Sequence, residues 1–197
     1  MTKDANQPET PDEPETPAVD SLIVNGDFET GSKDPWTSGS SSAAITINST
    51  NKHGGSYGAM IPARNRTFTA KQAVTVKANT NYTVTFWYKS TDATQAISLL
   101  FGVYAASATA SNNEPLASQV ALDNSKSDWT KVTYVFNSGS NTSVLVAFGS
   151  DNSNCLVKDY MYVDDIVMVE GGEISDEPAD YVGSYPETMT SGADIRF

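Results

Sequence analysis

Two adjacent carboxylates interrupt an apolar segment near the end of the chain. Residues 160–169 are rich in aromatic and β-branched side chains, which predicts a strand, and this strand contains Asp164 and Asp165. Because successive strand residues point to opposite faces, one carboxylate points inward or to a sheet rim, where an unpaired charge is costly. A cation would offset that cost. We therefore expect a structural calcium ion that joins the last strand to residues 25–29, Asn-Gly-Asp-Phe-Glu. The alternative is that the aspartates only cap backbone hydrogen bonds at a strand end.

The chain offers little else for catalysis. His53 is the only histidine and Cys155 the only cysteine, which excludes a histidine-based triad, a multi-histidine metal site and an internal disulfide. We expect His53 to be a surface residue in a glycine-rich turn and Cys155 to be a buried thiol. A glycosidase needs two carboxylates that face each other across a cleft, and most of the remaining acids fall in predicted turns. We therefore predict a protein without enzymatic activity.

Charge is distributed unevenly along the 197 residues, whose formal net charge is −12. Residues 21–170 contain 12 acidic and 10 basic side chains, so the net charge of this part is only −2. We predict an acidic Pro/Thr-rich linker at 1–20, one domain at 21–170, and an acidic tail or linker at 171–197. A nearly neutral domain with acidic ends argues against nucleic acid or an anionic membrane as partner. No apolar run reaches the length of about 18 residues that a membrane span requires.

The pattern within the domain is that of many short strands. Alternating or β-branched runs recur between turn signals about every ten residues, and no helical periodicity is sustained. The predicted strands are 43–48, 57–61, 67–76, 82–89, 97–104, 120–122, 129–136, 144–148 and 160–169. This arrangement is typical of an all-β fold, an antiparallel β-sandwich or jelly roll.

Alternation within two of these strands suggests a binding surface. In 82–89 the apolar set faces the core, which leaves Trp87 on the polar face; in 97–104 the outward set includes Tyr104. If both strands belong to one sheet, the two aromatic residues lie above small residues in a shallow trough. Sugar rings have apolar C–H faces that stack on such platforms. The alternative is that these are isolated exposed aromatic residues without a function. We expect Trp36 and Trp129 to be structural.

A series of motifs occurs in a fixed order along the domain. The motifs are Asn25-Gly26-Asp27-Phe28-Glu29, Pro35-Trp36, Gly55-Ser56-Tyr57, the sequence YTVTFW at 82–87, WTKVTYVF at 129–136 and YVDDI at 162–166. The series resembles carbohydrate-binding modules of families 4, 9 and 22, which share a galactose-binding-like β-sandwich. The resemblance implies a calcium site made by Glu29, the carbonyl of Asp27, and Asp164. It also implies a sugar cleft on the concave sheet, which the loop residues Arg64, Asn65, Arg66 and Phe68 would border.

The resemblance implies a function as well. Such modules mostly bind β-linked plant polysaccharides and are attached to glycoside hydrolases. We therefore expect a non-catalytic, monomeric module, extracellular or at a cell surface, that binds xylan as first choice and β-glucan as second. The alternative is a structural or adhesive sandwich that binds no glycan.

Overall fold

A computed structural model describes residues 20–38, 44–62, 66–90, 99–109, 112–123, 125–150 and 160–172. Most of the predicted linker and tail lie outside these ranges, as do Arg64, Asn65 and Cys155, so their predicted roles stay predictions. Arg66 is described by its backbone alone.

The described chain forms nine strands. They are β1 (Thr46–Asn48), β2 (Gly58–Pro62), β3 (Arg66–Thr75), β4 (Asn81–Ser90), β5 (Leu99–Ala105), β6 (Val120–Leu122), β7 (Thr130–Asn137), β8 (Ser143–Ser150) and β9 (Tyr160–Glu170). Each corresponds to a predicted strand whose ends shift by a few residues. All pairings are antiparallel, and no helix is present in the described part of the chain. The predicted all-β sandwich is confirmed.

The strands form two sheets with the core between them. One has five strands in the order β1-β2-β9-β4-β7, and the other has four in the order β3-β8-β5-β6. In β4, buried and half-buried residues alternate, as a strand with one core-facing side requires. Phe86 of β4 meets Phe101 and Phe148 of the other sheet, with ring centroids 4.6 and 5.2 Å away. Trp36 is fully buried against Phe148, which confirms its structural role.

The first described segment links the two sheets through hydrogen bonds to β9 of one and β3 of the other. The Leu22 N–H donates to the Met168 carbonyl on β9 (2.8 Å), and the Ile166 N–H donates to Gly26 (3.0 Å). The side-chain amide of Gln72 on β3 bonds both the N–H and the carbonyl of Val24, each at 2.9 Å. The start and end of the domain therefore meet, as the sequence predicts.

Candidate functional site

Trp87 and Tyr104 lie on different sheets. Trp87 belongs to β4 in the five-stranded sheet and Tyr104 to β5 in the four-stranded sheet. Both point away from the core, so they are on opposite outer surfaces of the sandwich. The prediction that they share one trough is wrong, because alternation tells whether a side chain points inward or outward but not which sheet its strand joins.

Trp87 packs under the turn that connects β1 to β2. The His53 ring stacks on Trp87 with centroids 4.1 Å apart and planes inclined by 14°. Trp129 meets the same imidazole edge-on at 5.6 Å. The Lys89 ammonium lies 5.1 Å from the Trp129 centroid and 5.6 Å from that of Tyr162. His53 is exposed as predicted, but its ring covers Trp87, so this cluster holds the turn on the sheet.

Tyr104 is buried although it points outward. Its exposed fraction is 2%, and its ring meets Phe68 edge-on at 5.1 Å. With Leu145 and Ala147 these rings form an apolar cluster separate from the core. The Gln119 side-chain amide donates to the Tyr104 hydroxyl, and Ala108 packs on the cluster. Burial raises the pKa of Tyr104, and the hydrogen bond from Gln119 opposes that shift. The prediction of an exposed platform at Tyr104 is therefore wrong, because the segment after β5 folds back over it.

The cluster belongs to a surface that we call the four-stranded outer face. We define it by the outward residues Phe68, Lys71, Gly102, Tyr104, Leu145 and Ala147. In the middle of this face, Ala147 on β8 pairs with Lys71 on β3 and with Gly102 on β5. Ala147 and Gly102 are both small residues. The Lys71 ammonium lies 5.4 Å from the Phe68 ring centroid.

Sequence reasoning missed Lys71, because strict alternation would put residues 68 and 71 on opposite faces. A register shift between Arg66 and Ala70 places both on the outer face, while Ala70 points into the core. The available signal in the sequence is a break in the alternating pattern within residues 67–76.

The predicted metal residue Asp164 lies on β9 of the other sheet, where it pairs with Trp87 of β4 and follows the last residue that pairs with β2. Its side chain is fully buried. One oxygen accepts the His53 N–H at 2.7 Å and the Gly54 N–H at 3.3 Å, and the other accepts the Asp165 N–H at 2.8 Å. Burial raises the pKa of Asp164 to about 6, and these hydrogen bonds oppose the shift. These contacts, between a carboxylate and backbone N–H groups, are the ones expected if Asp164 caps backbone hydrogen bonds.

Glu29 binds the other end of the same turn. Its carboxylate accepts the Tyr57 N–H at 2.9 Å and the Ser56 N–H at 2.8 Å, and these bonds lower its pKa. The Asp27 carboxylate instead accepts the Glu29 N–H at 3.3 Å and is exposed. Residues 53–57 thus join Glu29 of the first segment to Asp164 of β9 through backbone amides.

These residues fit calcium in ligand type, since calcium takes six to eight oxygen ligands, roughly, from carboxylates and carbonyls. Among the residues that the structure describes, however, no group of three or more Asp, Glu, His or Cys side chains is placed to hold a metal ion. The amide donors already offset the charge of Asp164 and Glu29. The calcium site therefore stays a prediction.

A comparison with models of known protein families shows which family the chain belongs to. The family model described as a carbohydrate binding domain, CBM_4_9, matches residues 20–154. The chain belongs to this family. It is a non-catalytic carbohydrate-binding module, as the sequence motifs indicate. Comparison with curated protein sequences gave no significant match.

Solved structures of similar shape support the fold of this carbohydrate-binding module. Family 16 Carbohydrate Binding Module-2 is 24% identical over 76% of this chain and 99% of its own, with a TM-score of 0.54. The CBM22-1 xylan-binding domain of Paenibacillus barcinonensis Xyn10C is 14% identical over 77% and 94%, with a TM-score of 0.57. TmCBM61, solved with β-1,4-galactotriose, is 18% identical over 78% and 100%, with a TM-score of 0.54. The described part of this module has no helix of the length and apolarity needed to cross a bilayer.

Proposed function

We propose that this module binds a β-linked plant polysaccharide, xylan as first choice and β-glucan as second, along the four-stranded outer face. The observation that carries the proposal is the apolar cluster of Phe68, Tyr104, Leu145 and Ala147 outside the core. The outer face of an antiparallel sheet normally carries polar residues, whereas these four side chains are apolar and only 1–7% exposed. A sugar would therefore meet this face at its edge, beside the half-buried Lys71. The similarity to a xylan-binding domain and to a module solved with a β-1,4-linked trisaccharide supports this ligand class.

Binding would be passive and of modest strength. The apolar C–H face of a sugar would pack beside Phe68, while its hydroxyl groups would bond to Lys71 and Gln119. Arg64, Asn65 and Arg66 remain predicted contacts. We expect a Kd of roughly 10–1000 μM, or about −4 to −7 kcal/mol. Trp87, on the opposite sheet, lies outside this site.

An attached glycoside hydrolase would gain effective concentration at its polymer. Because plant polysaccharides lie outside the cell, we expect the protein there or on a cell surface. A calcium ion beside Glu29 and Asp164 would stabilise the folded state by mass action without touching the sugar.

Affinity gel electrophoresis tests the ligand and the face together. Gels would contain xylan, barley β-glucan, laminarin or no sugar, and samples would be wild type, Phe68→Ala, Phe68→Leu and Trp87→Ala. We expect xylan to retard wild type and Trp87→Ala, but to retard Phe68→Ala much less. Phe68→Leu preserves most of the apolar volume and shows whether the variant fails through folding or through the lost ring. Equal mobility of wild type in every gel would favour a structural sandwich without glycan binding.

A further inference from the structure

The four-stranded sheet has an unusual charge for this protein. The sequences of β3, β5, β6 and β8 contain no aspartate or glutamate, whereas β3 contains both Arg66 and Lys71. The whole chain has a formal net charge of −12. In the five-stranded sheet, by contrast, β9 alone contains three carboxylates. The positive charge of Lys71, on an acidic protein, attracts anionic groups locally and at short range.

Lys71 carries this charge on β3, the strand at one edge of the sheet. Its partner across the sheet is Ala147, and its ammonium lies 5.4 Å from the centroid of Phe68. The side chain is half-buried. Within the described ranges, ion pairs engage Lys33, Lys77 and Lys126, but none engages Lys71. Its positive charge therefore has no counter-charge from those parts of the protein.

We infer that the four-stranded outer face prefers an acidic glycan, a xylan-type polymer with uronic acid side groups, whose carboxylate binds the Lys71 ammonium. This inference rests on the proposed function and adds a substrate class to it. A neutral chain would offer the ammonium only hydroxyl groups, whereas a carboxylate forms a shorter, charge-assisted hydrogen bond. The sugar that bears the carboxylate would then lie beside the Phe68 ring, because the Lys71 ammonium lies next to that ring.

Calorimetry with two matched polymers tests the inference on the full chain. One is glucuronoxylan, and the other is the same polymer after chemical reduction of its carboxyl groups to alcohols. We expect wild type to bind the native polymer up to about fivefold more tightly, since an exposed ion pair contributes about 0.2–1 kcal/mol. That ratio should shrink in high salt. Lys71→Gln should bind both polymers alike, and Lys71→Arg should keep the preference.

Lys131→Gln is the matched control. Lys131 is an exposed lysine opposite Trp87 on the five-stranded sheet, so its removal changes the net charge equally but away from the site. This variant should keep the preference of the wild type. If Lys131→Gln loses the preference to the same extent as Lys71→Gln, the effect is one of overall charge, and the inference is overturned.

Three other results would also overturn the inference. Equal wild-type affinity for both polymers would refute the uronic acid preference and leave the proposed function intact. An equal loss of affinity for both polymers in Lys71→Gln would make Lys71 a contact to the neutral sugar. If wild type binds neither of the two polymers and does not bind unsubstituted xylan, the proposed function is refuted as well.

Discussion

The stack between His53 and Trp87 can be measured with a double-mutant cycle. Trp87→Ala removes a half-buried ring whose face is covered by an imidazole 4.1 Å away. Truncation of a fully buried aromatic side chain costs about 3–5 kcal/mol, so a half-buried one should cost roughly 2 kcal/mol. A stacked pair contributes about 0.5–1.5 kcal/mol beyond the buried area. We therefore expect a coupling free energy of about 1 kcal/mol between the two side chains.

Urea unfolding of four proteins gives that coupling. These are the wild type, His53→Ala, Trp87→Ala and the double variant, followed by far-UV circular dichroism because the substitution removes a fluorophore. The control cycle pairs His53→Ala with Thr83→Ala, four residues away on the same face of β4, where the two effects should add. Xylan affinity should be unchanged in all variants, since Trp87 lies on the sheet opposite the proposed site.

A coupling near zero would refute the argument that the stack fixes the turn on the sheet. A different result would refute the placement of the binding face. If Trp87→Ala abolished glycan binding while Phe68→Ala retained it, the sugar would bind to the five-stranded sheet.

Three further predictions concern stability. If the module binds calcium, EDTA should lower the melting temperature measured by calorimetry while xylan affinity below that temperature stays nearly constant, and an unchanged melting curve would remove the calcium proposal. Burial raises the pKa of the Tyr134 hydroxyl to about 12. In the unfolded chain the same side chain ionises near pH ~10. The free energy of unfolding of the wild type should therefore fall by up to about 3 kcal/mol as the pH rises from ~10 to ~12. Tyr134→Phe should show a correspondingly smaller loss in urea titrations across that range, and identical pH profiles would contradict the assignment. Phe86→Ala should cost about 3–5 kcal/mol in urea unfolding, because its ring is fully buried against Phe101 and Phe148; a cost under about 1 kcal/mol would mean that the core refills the space.

The strands could be predicted because their signal is local. Alternation with a period of two identifies β4 and its core side from ten consecutive residues, and turn residues mark its ends. The order of strands is not local. Nothing in the sequence of β9 indicates that it lies between β2 and β4. For that reason the inward and outward directions of Trp87 and Tyr104 were predicted correctly, whereas their placement in one sheet was not.

The sequence alone is also insufficient to predict which side chains meet in the candidate sites. The sequence correctly indicates that a buried Asp164 needs polar partners, but it does not distinguish a cation from the amides of His53 and Gly54, which lie more than 100 residues away. A register shift in β3 was needed to bring Lys71 beside Phe68. Both contacts depend on geometry that a regular repeat does not encode.

The antiparallel contact between the first segment and β9 gives the module a mechanically weak direction. Ser21 and Glu170 lie at the same end of this contact, where Leu22 bonds to Met168, and the bond between Gly26 and Ile166 comes further in. Tension applied between these two positions would load the bonds one after another, as in unzipping, instead of all together as in shear. The module would therefore begin to open at this corner at low force, before the two sheets separate.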